Sequence, residues 1–171
     1  MVKEKLNREA LLVSLDQTTS EFLKVLSSFN EEEINRIPFQ NSWTAAQVAD
    51  HVNKSNKAMI ESLSEQGKAS GRAGDEGVEK LKEIFLNFDS KLQSPKFILP
   101  TQDSYNKEAL VADLKNSVER IKELSKTVDV SGMVNHPVFG EVTKFEILHF
   151  IVYHTQRHIY QLKNIFEKVT K

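Results

Sequence analysis

Cysteine is absent from this chain of 171 residues, which excludes disulfides and leaves no thiolate to ligate a metal. Any bound metal must be held by His, Asp or Glu. Charge of one sign is also missing: 23 Lys and Arg stand against 24 Asp and Glu, a net charge of -1. So even a balance gives no footprint for nucleic acid or an anionic membrane surface. No apolar run is long enough to span a bilayer, and none follows the first residues as a secretory signal would require. The expectation is a cytoplasmic protein. Hydrophobic content of 39% and charged content of 27% are ordinary for a soluble fold, and the length fits one domain over residues 1–171.

The apolar positions recur at helical spacing. Leu11, Leu12, Leu15, Phe22, Leu23, Val25 and Leu26 predict a first helix over about 7–29. A second opens at Thr44-Ala45-Ala46-Gln47, where Thr44 and Gln47 can cap one another's backbone N–H, with Trp43 and Val48 in staple positions. It runs to about residue 66. Residues 67–77 hold four of the six glycines and read as a flexible surface loop. A short helix over 78–92 and an extended stretch over 94–100, bracketed by Pro95 and Pro100, are expected next. Leu110, Leu114, Val118, Ile121 and Leu124 predict a third long helix over 106–126. A loop with His136-Pro137 and Gly140 leads to a second capping box, Thr143-Lys144-Phe145-Glu146, which starts a last helix reaching about 169. No alternating pattern marks a strand. The pattern predicts an all-α four-helix bundle. About forty residues separate the second and third long helices, far more than neighbouring antiparallel helices need, so a long crossover connection between them is expected.

Five histidines are present. His154 and His158 lie one turn apart, a spacing that aims two imidazoles the same way and recurs in metal sites. On a wheel of about 100° per residue, Ile147, Gln161 and Ile165 share their arc, whereas Lys163, Gln156, His149 and Tyr160 lie opposite. The pair therefore points among core residues. His51 on the second helix also points inward, beside Val48, Ser55, Ala58 and Met59. A lone inward histidine is more often a hydrogen-bonded core residue. Three that converge without an acid are hard to satisfy except by a cation. His149 is expected to be solvated, and His136 to serve a turn.

Two familiar metal patterns do not fit. The residues between the pair are Thr155, Gln156 and Arg157, so the glutamate base of an H-E-x-x-H helix is missing. Glu146 to His149 matches one E-x-x-H motif, but a di-iron bundle needs two. A mononuclear site of three neutral histidines is the better fit, and its open position would accept water or substrate.

The segment Trp43-Thr44-Ala45-Ala46-Gln47-Val48-Ala49-Asp50-His51 resembles the W-[ST]-x-x-[EQ]-[VI]-x-x-H segment of the DinB-like family. His136-Pro137-Val138-Phe139-Gly140-Glu141-Val142-Thr143, followed by His154-Thr155-Gln156-Arg157-His158, resembles the H-P-x-F-G-x-x-T and H-T-x-R-H segments of its YfiT-like branch. The resemblance implies a bundle with a crossover, a zinc or nickel ion on His51, His154 and His158, and pairing as a homodimer. Some relatives are thiol transferases that join a low-molecular-weight thiol such as bacillithiol to an electrophile, and others were labelled metal-dependent hydrolases. The leading expectation is a metal-dependent thiol transferase acting on a small molecule, with Arg157 a candidate for a carboxylate of the thiol and Ser55 a candidate for the cavity wall. Arg157 could equally form a surface ion pair, and Ser55 could simply let helices approach. The alternatives are a metal-dependent hydrolase and a non-enzymatic, stress-induced metal-binding bundle.

Overall fold

A computed structural model describes residues 6–171. Four long helices form the bundle: α1 (Arg8–Ser27), α2 (Ala45–Ser64), α4 (Lys107–Thr127) and α5 (Lys144–Val169). Each begins on a side-chain cap. Asn7 accepts from the Ala10 N–H and Asn106 from the Ala109 N–H. Thr44 with Gln47 and Thr143 with Glu146 form the two expected capping boxes. α1 packs on α4 and α5, and α2 packs on the same two helices. Side-chain pairs give the directions. Asn53 meets Asp113 and Asn56 meets Ser117, so α2 and α4 run parallel. Asp16 meets Lys122 and Arg8 reaches the Ser125 carbonyl, so α1 and α4 run antiparallel. The long crossover over 65–106 is what permits the parallel pair.

That connection is less regular than expected. The helix expected over 78–92 is only α3 (Val78–Phe85), because Leu86 ends it and Asn87 and Ser90 turn the chain. The stretch expected to be extended contains a 3-10 turn, Lys96–Ile98. It then lies along one face of α2: Gln47 donates to the Gln102 carbonyl, Asp50 accepts from Tyr105, His51 donates to the Ile98 carbonyl, and Lys54 to the Leu99 carbonyl. Those four positions share a helical face, so one stripe of α2 side chains, with Asn35 bonding both backbone groups of Tyr105, holds a segment with little secondary structure.

Two further expectations are corrected. The loop at His136-Pro137 is a β-hairpin, β1 (Met133–His136) pairing antiparallel with β2 (Gly140–Thr143) in the register Val134↔Val142. Strands of four residues are too short to show alternation, but Gly140 at φ 68° supplies the left-handed position that closes a three-residue hairpin loop. The glycine-rich loop is not simply a free surface segment. Lys68 bridges to Met133, and this needs Gly67: a Cβ there would stand 2.8 Å from the Gly132 Cα. Arg72 forks onto Glu146, whose carboxylate also accepts from the Gly77 and Thr143 N–H groups.

The core is two apolar clusters separated by a polar belt. On α1, Thr18 and Thr19 lie between Leu15 of one cluster and Phe22 of the other. On α2, Asn53, Ser55 and Asn56 lie between Val52 and Met59. Ser117 interrupts α4 between Leu114 and Ile121, and His154, Thr155 and His158 interrupt α5 between Val152 and Ile159. Thr19 and Thr155 return their hydroxyls to carbonyls one turn back, and the Asn56–Ser117 bond crosses between helices.

The Glu146 clamp generates a stability prediction. Burial pushes its carboxyl upward, but the bonds from Arg72, Thr143 and Gly77 outweigh this and hold it below its ordinary value. A depressed carboxyl contributes stability that is fully present above about pH 4.5 and is lost as pH falls through its folded value. Arg72→Ala is expected to cost about 2–4 kcal/mol in urea unfolding at pH 7, because a buried carboxylate loses its ion pair. The deficit is expected to shrink below about pH 4; an equal deficit at pH 3 would show that the pair is not its source.

Candidate metal centre

α5 carries His154 and His158 on its inward face, and α2 brings His51 to meet them. All three are buried. The Nε2 atom of His51 lies 3.1 Å from that of His154 and 3.1 Å from that of His158, and the remaining separation is 3.2 Å. The helices thus bring together residues 103 and 107 positions apart in sequence.

The outward ring nitrogens fix the tautomers. His51 Nδ1–H donates to the Ile98 carbonyl at 2.9 Å, and His158 Nδ1–H donates to Gln161 Oε1 at 2.7 Å. Each neutral ring then presents a bare lone pair at Nε2. The His51–His158 contact has no proton to share, whichever tautomer His154 adopts. Adding protons is opposed. Burial, then the charge of His51, pushes His158 down to about 3. Burial and the neighbouring imidazoles push His154 well below its usual value, and burial also lowers His51. Converging lone pairs of this kind repel unless a cation lies among them. Tetrahedral zinc with nitrogen at about 2.0–2.1 Å sets its ligand atoms about 3.3 Å apart, close to the separations here. The donor set therefore fits a divalent ion of the borderline class that prefers imidazole.

The surroundings match sequence expectation in part. Ser55 is buried and lines the adjoining cavity. Arg157 also borders it, and among the described residues it forms no surface ion pair: its guanidinium donates to the carbonyls of Phe85 (3.4 Å), Asn87 (2.9 Å) and Ser90. His136 takes its expected turn role, with Nδ1 accepting from the Val138 and Phe139 N–H groups. Its buried Nε2 has no hydrogen-bond partner among the described residues. His149 is half-buried rather than solvated, packed between Phe145 and Tyr153, and burial lowers its pKa. The wheel placed it opposite the bundle interior correctly, but α3 and the glycine-rich loop cover that end of α5. Three supporting groups were not foreseen. The Ile98 carbonyl and the Trp43 ring, 5.1 Å from that of His51, depend on tertiary folding. Gln161, three residues after His158, was legible from helical spacing.

Fold and side chains together define a four-helix bundle with a tri-histidine centre beside a cavity. Residues 14–162 match the family model of the DinB superfamily, most of the chain with all three histidines included, and the chain belongs to that superfamily. It is 27% identical over 149 residues to the uncharacterized protein YuaE of Bacillus subtilis (strain 168), an alignment covering 85% of this chain and 91% of that one. Among solved structures, TT2238, described as a four-helix bundle protein, superposes with a TM-score of 0.60 at 18% identity, covering 92% of this chain and 98% of its own. YfiT from Bacillus subtilis, described as a probable metal-dependent hydrolase with an unusual four-helix bundle topology, superposes with a TM-score of 0.62 at 14% identity, covering 99% and 93%. At these identities the two structures speak for the fold. Among the described residues, no helix is long and apolar enough to cross a membrane.

The role of Arg157 yields a test. Arg157→Met keeps the aliphatic stem and removes three charge-assisted bonds to the segment after α3. Amide hydrogen exchange over residues 86–92 is expected to accelerate ten- to a hundredfold, the loss of about 1.5–3 kcal/mol. Unchanged protection would mean that the segment is held by other contacts.

Proposed function

We propose that this protein is a metal-dependent enzyme in which His51, His154 and His158 hold one divalent ion, zinc or nickel, and that it transfers a low-molecular-weight thiol to an electrophilic small molecule. The observation that carries the metal reading is the facing pair of unprotonated Nε2 atoms on His51 and His158. A cation satisfies them; a hydrogen bond cannot.

When bound, a divalent ion supplies the charge that deprotonates a thiol or a water at neutral pH. The chain's own residues do the rest. Ile98 and Gln161 hold two rings in the tautomer that leaves Nε2 free. Such outer partners orient a ligand and raise its basicity. All three histidines border a cavity of about 240 Å³, so the cluster faces space for a reactant. Three protein ligands beside an open space is the arrangement of a catalytic rather than a structural site. No Asp or Glu lines that cavity among the described residues. A hydrolase calls for a general base to direct water. His136 lines the cavity with an Nε2 that has no hydrogen-bond partner among the described residues, so hydrolysis has a candidate base. A thiol, already a strong nucleophile once ionised, needs none, and transfer makes the smaller demand on the site. A small-molecule substrate, with no nucleic-acid or membrane partner, accords with the near-neutral charge. Homodimer formation remains part of the proposal, to be read by light scattering.

Protein purified without a polyhistidine tag is expected to carry about one divalent ion per chain. His154→Ala is expected to abolish stoichiometric metal, and Gln161→Leu to weaken it about ten- to a hundredfold; full metal retention in His154→Ala would rule out the site. Turnover of an electrophile with a small thiol, lost on chelation and restored by zinc or nickel, tests the reaction. Ester or amide turnover without thiol would replace transfer by hydrolysis.

A further inference from the structure

The cavity has a chemical character beyond its histidines. Its inner walls are Met59 of α2, Phe85 at the end of α3 and Phe150 of α5. Phe150 stacks on His154 with ring centroids 5.0 Å apart, and Phe85 meets Phe150 edge-on at 5.0 Å, so the aromatic wall begins at the imidazoles. At the mouth stand Leu92, Phe97 and Val138, which leave 41%, 53% and 48% of their surface in water. Large apolar side chains are ordinary when scattered over a surface. Gathered around one opening, they mark a place where an apolar body is bound.

The charges point the same way. Arg157 is the one Lys, Arg, Asp or Glu that lines the cavity among the described residues. Its guanidinium already faces the carbonyl oxygens of Phe85, Asn87 and Ser90. Those oxygens solvate the cation from one side, and their dipoles oppose an incoming carboxylate. An anionic ligand would lose its hydration in an apolar chamber with no free cationic side chain to meet it.

We propose that this cavity takes an uncharged, largely apolar small molecule, with a hydrocarbon or aromatic body against Phe85, Phe150 and Phe97 and a single polar or reactive group at the imidazole end. The polar end rests on the metal reading given above, whereas the apolar body rests on the walls alone. The reactant that enters beside the ion is then a hydrophobic compound. Away from the ion, the walls hold no free cationic side chain to meet the charges of a sugar phosphate or nucleotide body.

The probes are n-alkanethiols from ethanethiol to hexanethiol, with 3-mercaptopropionate as the charged counterpart of butanethiol. They are titrated calorimetrically into cobalt-loaded protein, whose visible absorption reports separately whether the ion sits among nitrogen ligands. Affinity is expected to rise roughly two- to fourfold per methylene, and 3-mercaptopropionate to bind at least tenfold more weakly than butanethiol. Phe97→Ser is expected to flatten the chain-length gain while leaving cobalt uptake unchanged. A flat alkyl series, or a mercaptocarboxylate that matches or exceeds butanethiol, would overturn the proposal. If cobalt shows no such absorption, the metal reading has failed and the pocket can still be judged. The n-alkanols from butanol to octanol then serve, read through emission of Trp43, the single tryptophan, which packs against His51. A chain-length gain there sustains the apolar pocket, and its absence removes it.

Discussion

Two imidazole nitrogens that face each other with no proton between them are the constraint on which the rest of this structure depends. The contact between His51 and His158, 3.1 Å long, would be an ordinary hydrogen bond if either Nε2 carried hydrogen. Both are barred from doing so by groups outside the cluster, a backbone carbonyl on one side and a glutamine oxygen on the other. The two partners differ in origin. Gln161 travels with His158 on one helix, so that tautomer is set as soon as α5 forms. Ile98 belongs to the crossover, so the tautomer of His51 is set only when that segment docks on α2. Ordering of the crossover and preparation of the centre are one event. The same α2 face that fixes His51 also holds the crossover through Gln47, Asp50 and Lys54.

The polar belt has the same logic at the scale of the bundle. An uninterrupted apolar core would tolerate sliding of one helix past another by a turn, because one leucine layer resembles the next. Here each long helix carries buried hydroxyl, amide or imidazole groups between its two apolar segments. A one-turn slip would set those groups against leucine and phenylalanine and leave them unpaired, at a cost of about 1–3 kcal/mol each. The register that pairs Asn56 with Ser117 and meets the histidines is thereby favoured over its neighbours. The belt holds the ligands at one level, and the apolar clusters above and below supply the stability that the belt does not.

Much of this was legible in the sequence, for a definite reason. Helix starts are local events: Thr44 with Gln47 and Thr143 with Glu146 read correctly because a capping box involves residues three apart. The convergence of His51 with the α5 pair followed from inward phase plus the family's spacing. What failed was set by tertiary contacts. His149 faces away from the bundle, as the wheel says, yet a wheel cannot know that α3 will lie over it. The hairpin was hidden because four residues are too few for alternation to register. Glu146 read as a cap and is one, but its bond to Arg72 spans 74 positions, and no local pattern reports that.

Arg157 sets a cation beside a cation site, which looks self-defeating, and the three imidazoles show why it is not. Burial and the neighbouring imidazoles lower the pKa of both His154 and His158, and the charge of Arg157 adds a smaller push in the same direction. It therefore opposes a proton on either ring. It opposes a divalent ion as well, by ordinary repulsion, but the two competitors gain differently. A proton on one nitrogen hydrogen-bonds to a second and leaves the remaining lone-pair contact unrelieved. A metal ion bonds to all three at once and relieves every lone-pair contact in the cluster. A fixed positive charge repels a divalent ion about twice as strongly as a proton at the same place, so what favours the metal is the three bonds it forms at once and not the charge of Arg157. The carbonyls of Phe85, Asn87 and Ser90 temper that charge without cancelling it. By turning the guanidinium toward backbone oxygen, they keep its influence on the imidazoles electrostatic and leave the cavity wall apolar.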